Sequence, residues 1–575
     1  MAEATRRKFI AKVLEKLDWK IAAFAIVFLV AIFLRVYHFS DWLFFKMDQA
    51  RDAFTIQQAY EKGLSYLPLL GPKAGGTHVN LGPFFYYFQY LSTVIFRSVS
   101  PAVMAYPDLF FSILTIPLLY FFLKKYFDRN WSLILTSLYA LGFLGIEYSR
   151  FAWNPNSLPF FNLLFFFSLL NIFDPAYKRK LHWCALAGLA FAVSTQLHFL
   201  SFFTLPFLTL IFLIINRKEL KRTLEWKKVL VFLCVILLVY VPVFANELHT
   251  KFHDSKAFFE ALGTKAADHG LLNNILKDIL YFGNNWITIL TGAILSSKKS
   301  LPANAMWILF ILPALFLNWK FWREEKDPTR KKFLLVTLIW LPIYFLGYIP
   351  IAYQIRPRFF LPMLPLPFIF VGYLCAYFGS KKEIWLKYIP VMLVGIVFVG
   401  NVYGTLDWFR EMREAQKKGV YPSRTIILKA KDGITLWHLE NSAKYLASNC
   451  SASTIYYYTP TEYHRPIKYL LGINGKNGFA LADAQTGDPN GCYFAFKRTR
   501  VKDDSLGQLF DSEFSIADRQ KLGAWTAMKL KVNDSFSGQF LPSFHQGKNI
   551  SGSDVSVRVF WKDLFVKKNK PKTQN

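Results

Sequence analysis

Residues 20–37 read KIAAFAIVFLVAIFLRVY, an apolar run centred on Ile21–Phe33 with Trp19 and Tyr37 at its edges. A helix of that length reaches across the hydrocarbon of a bilayer, and aromatic rings at its ends sit at headgroup level. No small-residue cleavage site follows, so the run reads as a retained anchor rather than a signal peptide. Further apolar runs lie near 104–123, 131–147, 157–173, 183–198, 200–215, 229–245, 304–319, 334–351, 360–379 and 386–404. About eleven spans are expected.

The composition agrees. Of 575 residues, 53% are hydrophobic and 59 are phenylalanine, and the mean hydropathy is +0.25. The formal charge of +30 is spread over short clusters between the runs. These are Arg6 to Lys16, Lys124 to Arg129, Lys178 to Lys180, Arg217 to Arg222, Arg323 to Lys332, and Lys381 with Lys382. They occupy every second loop, which orients those loops, and the N-terminus, to the cytoplasm. The alternate loops, 38–103, 148–156, the turn near 199, 246–303, 352–359 and everything after 405, then face outward. No basic face on a soluble fold is visible, so nucleic acid is not expected as a partner.

Pro83–Phe96 is apolar too, but counting it as a span would put the basic clusters outside. It is read as an aromatic helix lying in the interface. Asp52–Tyr60 reads as a second short helix, ended by Gly63. The expected organisation is an α-helical polytopic membrane region over 1–405 and a small extracytoplasmic α/β or α+β domain over 406–575. In that tail Thr454–Tyr458, Cys492–Lys497 and Val555–Trp561 read as strands, and Leu436–Ala447 and Tyr463–Leu471 as helices. Cys450 and Cys492 lie in the tail and can pair if it faces an oxidising compartment.

The chemistry-bearing residues gather in the first outward loop, which reads MDQARD over 47–52, LLGP over 69–72, GGTH over 75–78 and GPFFYY over 82–87. Asp48 is either an N-cap of the helix that follows or a functional carboxylate; the two roles are compatible. Asp52 is more readily a partner of Arg51. The glycines of 71–82 lack the lysine and hydroxyl of a phosphate-binding P-loop, so a flexible loop or lid is expected there.

Together, an acid leading into ARDA, a PLLGP turn and the GPFFYY helix resemble the GT-C glycosyltransferases. They are similar in particular to bacterial protein O-mannosyltransferases and lipid A aminoarabinose transferases. EYSR at 147–150 with WNPN at 153–156, QLH at 196–198 and RPRFFLP at 356–362 agree in order. The resemblance departs at Gln49, where an acid is usual, and at Asn154–Asn156, where many relatives carry one. That weakens the case for a divalent cation, which favours charged oxygens.

The resemblance implies transfer of a sugar from a polyprenyl-phosphate donor to an acceptor protein, lipid or cell-surface glycan, with inversion, at the outer face of the plasma (inner) membrane. No cofactor beyond that donor is implied. Asp48 would be the general base, and Arg358, with Arg356 beside it, would offset the donor phosphate. Asp52, His78, Asn80, Glu147, Arg150, Trp153, Asn154 and His198 are candidate sugar or acceptor contacts. Glu147 and Arg150 also fit a simple i,i+3 ion pair, and Trp153 an interfacial belt residue. A flippase for lipid-linked sugars, or a membrane scaffold, are the competing functions. The first would need ionisable groups at the membrane midplane and broken half-helices in pairs.

Overall fold

The computed structural model describes residues 19–74, 79–223, 225–264, 269–295, 300–419, 422–427, 431–451, 454–481, 484, 486–498, 513–534, 536, 538 and 558–565. Each of the expected apolar runs falls on helix. Among the described residues six helices are long and apolar enough to cross a bilayer: Trp19–Val36, Pro101–Leu123, Trp226–His249, Ser300–Glu324, Pro328–Gln354 and Ile384–Lys418. A pair bent by 59°, Pro357–Met363 with Leu366–Gly379, makes up to seven, and Leu158–Phe173 and Phe199–Ile215 are apolar but shorter. The run near 131–147 is broken at Leu141–Gly142 into Arg129–Ala140 and Phe143–Tyr148. Large side chains such as Phe33, Leu238, Leu309 and Val391 remain exposed on the outer faces, as on helices whose surroundings are lipid.

The stretch 246–303, expected as a loop, instead holds the helices His253–Thr264 and Leu271–Thr291. The second buries Phe282, Trp286, Ile289 and Leu290. It packs on Tyr388–Lys418, where Asn401 Nδ2 donates to the Leu290 carbonyl at 2.8 Å.

In loop one, residues 71–74 pair with 79–82, and 75–78 lie outside the described residues. Gly71 N donates to Leu81 O at 2.8 Å, Leu81 N to Pro72 O at 3.0 Å and Ala74 N to Val79 O at 2.9 Å, which closes a short hairpin. Two glycines permit the approach. A Cβ on Gly71 would stand 2.2 Å from the Gly82 carbonyl oxygen, and one on Gly82 would stand 2.2 Å from Gln196 Oε1. The apolar stretch after it forms the helix Phe84–Phe96, and the short helix before it runs further than expected, over Met47–Lys62 with Gly63 at its end.

The helix Tyr388–Lys418 runs on past the boundary expected at 405 into the tail. There a five-stranded sheet has the order β2-β1-β3-β5-β4, with β1 Thr454–Tyr458, β2 Asn477–Ala480, β3 Cys492–Arg498, β4 Phe514–Leu522 and β5 Trp525–Val532. β2 and β3 flank β1 in parallel, and β5 and β4 continue antiparallel. Cys450 and Cys492 form a disulfide. The strand expected over Val555–Trp561 is not one. Residues 555–557 lie outside the described residues, Phe560 makes an isolated bridge with Pro68, and Trp561–Leu564 is a 3-10 turn.

This region docks directly on loop one. Lys46 Nζ meets Asp432 Oδ2 at 2.8 Å, and Leu436 N donates to Leu43 O at 2.9 Å. The Tyr469 ring packs edge-on against Phe54, with centroids 5.0 Å apart.

Candidate active site

The helix Met47–Lys62 starts two residues earlier than an Asp48 cap requires. Lys46 is its N-cap, and the Lys46 backbone N–H is received by Gln49 Oε1 at 3.3 Å. Gln49 therefore has a structural task at the position where an acid was expected. Asp48 lies in the first turn, where the unpaired N–H groups of the helix favour a carboxylate. Its side chain keeps 43% of its accessibility.

Arg51, one turn on, stands between two acids. Its Nη1 is 3.4 Å from Asp48 Oδ1 and its Nε 2.9 Å from Asp52 Oδ1. Asp52 is buried, and the Tyr86 hydroxyl donates to the same oxygen at 2.8 Å. Burial works against the charge of Arg51, yet Asp52, Tyr86 and Asp48 together outweigh it and hold the guanidinium above its ordinary range.

Arg358 stands at the start of the 3-10 segment Pro357–Met363. Its guanidinium lies 4.8 Å from the Trp153 ring centre and 5.2 Å from that of Phe359. Tyr148, Arg356 and, more weakly, Asp48 are the groups that act on its charge. Asp48 and Arg358 thus share one electrostatic environment although 310 positions part them (358 − 48). Arg356 is exposed and donates to the Ile355 carbonyl at 3.1 Å. The His198 ring meets Phe359 edge-on at 5.3 Å, and its Nδ1 accepts from Leu200 N at 3.3 Å. Asn154 Nδ2 donates to Leu197 O at 2.6 Å, tying the second loop to that turn.

Three other candidates stand elsewhere. Glu147 is buried and accepts from Thr425 Oγ1 and, at 2.9 Å, from Ile426 N. Arg150 donates to the carbonyls of Leu34, Arg35 and Tyr37, at 3.1, 2.8 and 2.6 Å. Those are the oxygens that the end of the first helix leaves without intrahelical donors. A cage of Phe39, Trp42, Trp408 and Phe409 surrounds the guanidinium. The i,i+3 ion pair expected of these two residues does not form, because each is turned to a different backbone partner. Asn80 donates to Asp254 Oδ1 at 2.6 Å and lines a cavity of about 110 Å³ with Gly82, Gln196, Tyr240 and Phe258. His78 lies outside the described residues.

Reading the sequence missed Tyr86, although it stands in the GPFFYY stretch, and Asp108. Asp108 is buried, with Oδ1 receiving Ser157 Oγ at 2.5 Å and Oδ2 receiving Trp153 N at 3.0 Å. It holds the loop on which Arg358 stacks. Among the described residues no three His, Cys, Asp or Glu side chains gather as metal ligands.

Residues 80–245 match the family model described as dolichyl-phosphate-mannose-protein mannosyltransferase. Among solved structures, the chain is similar to ArnT from Cupriavidus metallidurans in the apo state. The TM-score is 0.52 at 13% identity, over 88% of this chain and 97% of that one. The same protein bound to undecaprenyl phosphate gives a TM-score of 0.51 at 13% identity, over 91% and 99%. No curated protein matches. At this identity the likeness is one of fold.

Proposed function

We propose, for a chain that has the GT-C fold of membrane glycosyltransferases, that it moves a sugar from a polyprenyl-phosphate donor to an acceptor, with inversion, at the outer face of the membrane. The single observation that carries this reading is that the half-exposed carboxylate of Asp48 acts electrostatically on Arg358, whose guanidinium lies against the Trp153 ring. A half-exposed carboxylate is suited to take the acceptor's proton, and a guanidinium to hold the departing phosphate. The donor class is supported by the undecaprenyl phosphate that the similar ArnT structure binds.

In this reading the acceptor hydroxyl, hydrogen-bonded to Asp48, attacks the anomeric carbon from the face opposite the leaving phosphate. The proton passes to the carboxylate as the new bond to the anomeric carbon forms. The bond to the phosphate oxygen breaks, and the polyprenyl phosphate leaves with its charge offset by Arg358. Trp153, which stacks on Arg358, restricts the guanidinium to one orientation. His198 and Asn154 line the same end and are assigned to sugar or acceptor contact. Glu147 and Arg150 are assigned to the scaffold instead, since their polar atoms face backbone.

Purified protein mixed with sugar-loaded undecaprenyl phosphate and a hydroxyl-bearing acceptor tests the reading. Release of free undecaprenyl phosphate coupled to acceptor glycosylation supports it. Movement of the intact lipid across vesicles with no glycosidic bond broken would replace it with a flippase.

A further inference from the structure

The described residues nearest the C-terminus return to loop one. Leu69 N donates to Val559 O at 2.9 Å and Trp561 N to Leu67 O at 3.2 Å, so 559–561 lies antiparallel beside 67–69 through the isolated bridge of Pro68 and Phe560. Trp561 Nε1 donates to the Tyr87 hydroxyl at 3.0 Å, and Lys562 Nζ rests 4.1 Å from the Tyr66 ring centre. This strap carries Arg558 into the acid cluster. Arg558 Nη1 donates to Thr55 Oγ1 at 2.5 Å, and its guanidinium lies 5.6 Å from the Tyr86 ring centre.

Two short paths lead from Arg558 to the Arg51–Asp52 pair. Thr55 Oγ1 donates to the Arg51 carbonyl at 3.1 Å, and the Tyr86 hydroxyl donates to Asp52 Oδ1. The pair matters because Arg51 has two carboxylates within reach and only one of them is the assigned base. An Arg51 drawn fully onto Asp48 would occupy the oxygens that must take a proton and would lower their basicity. Tyr86 and a cation behind it favour an ionised, fixed Asp52, and a fixed Asp52 keeps Arg51.

We propose that Arg558 is a positioning residue supplied by the C-terminal strap, which holds Tyr86 and Asp52 so that Arg51 stays on Asp52 and Asp48 remains available as the base. This rests on the glycosyl-transfer reading for its catalytic consequence but not for its structural one. Arg558 touches no reacting atom; its effect passes through Tyr86 and Thr55.

The full-length protein in detergent, as wild type, Arg558→Gln and Arg558→Lys, is compared by amide hydrogen exchange and by turnover of sugar-loaded undecaprenyl phosphate. Arg558→Gln is expected to raise exchange in 47–62 and 84–96. It should lower kcat roughly ten- to hundredfold with little change in KM, and Arg558→Lys should recover part of both. Unchanged exchange in those two segments overturns the proposal, as does a wild-type kcat in Arg558→Gln. If wild type turns over no donor, the transfer reading fails. The exchange result then decides whether Arg558 orders Tyr86 and Asp52.

Discussion

Lys46 Nζ lies 2.8 Å from Asp432 Oδ2, joining the residue that caps the helix of Asp48 to the sheet-bearing region. Both side chains are nearly buried, at 4% and 10% accessibility. Burial lowers the pKa of Lys46, and Asp432 counters that shift. Arg498 Nη2, at 3.3 Å, and the Tyr463 hydroxyl also reach Asp432. Asp432 thus gathers the charged part of the contact between the sheet-bearing region and loop one, beside the main-chain bond of Leu436 and the packing of Tyr469.

That arrangement predicts an asymmetry. Asp432→Asn removes the carboxylate from both Lys46 and Arg498 and should cost about 3–5 kcal/mol, the range for breaking a buried pair. Lys46→Met leaves Asp432 with Arg498 and Tyr463 and should cost less. Thermal melts of the two variants and of the double variant measure the difference. Equal losses would contradict it.

His438 is buried, and burial lowers its pKa from 6.5 to about 4. Its Nδ1 accepts from Thr435 N at 3.2 Å and its Nε2 faces the Ala415 carbonyl at 3.4 Å, an arrangement suited to the neutral ring. The folded state takes up this proton less readily than the unfolded chain. Stability from this group is thus full above pH 6.5 and falls as the pH drops from 6.5 towards 4, by at most about 1.4 kcal/mol per pH unit. Amide exchange of 436–448 should rise over that window, and His438→Gln should flatten the response.

Gly71→Ala is expected to harm loop one more than Gly82→Ala does. The added carbon meets the backbone oxygen of Gly82 in the first case and the side chain of Gln196 in the second. Backbone cannot step aside, so a loss of about 1–3 kcal/mol is expected for Gly71→Ala, seen as faster proteolysis of 64–82. An unchanged cleavage rate would show that the hairpin can open without cost.

The disulfide between Cys450 and Cys492 closes a loop with a sequence separation of 42. Replacing both cysteines by alanine should lower the stability of the sheet-bearing region by about 2–4 kcal/mol. Urea unfolding followed at Trp525, in β5, measures it.

The membrane helices were legible because apolar runs bounded by basic clusters have few other interpretations. Asp48, Trp153 and Arg358 stood out in the sequence by their place in outward loops and by family order, and their roles stay part of the proposal. Leu271–Thr291 was not legible. Asn274, Asp278, Asn284 and Asn285 interrupt its apolar residues, so no long apolar run forms. Glu147 and Arg150 have the spacing of an ion pair, and only the fold reveals that backbone groups claim both. Arg558 lies 510 positions from Asp48 (558 − 48). It arrives through a main-chain pairing at 67–69, which leaves almost no trace in residue identity.

The most direct test of the central claim is the turnover of sugar-loaded undecaprenyl phosphate by wild type and Asp48→Asn, with binding of undecaprenyl phosphate measured in parallel. The account predicts that kcat falls by roughly 10²–10⁴ while the lipid still binds. An Asp48→Asn variant that keeps the wild-type kcat would contradict it.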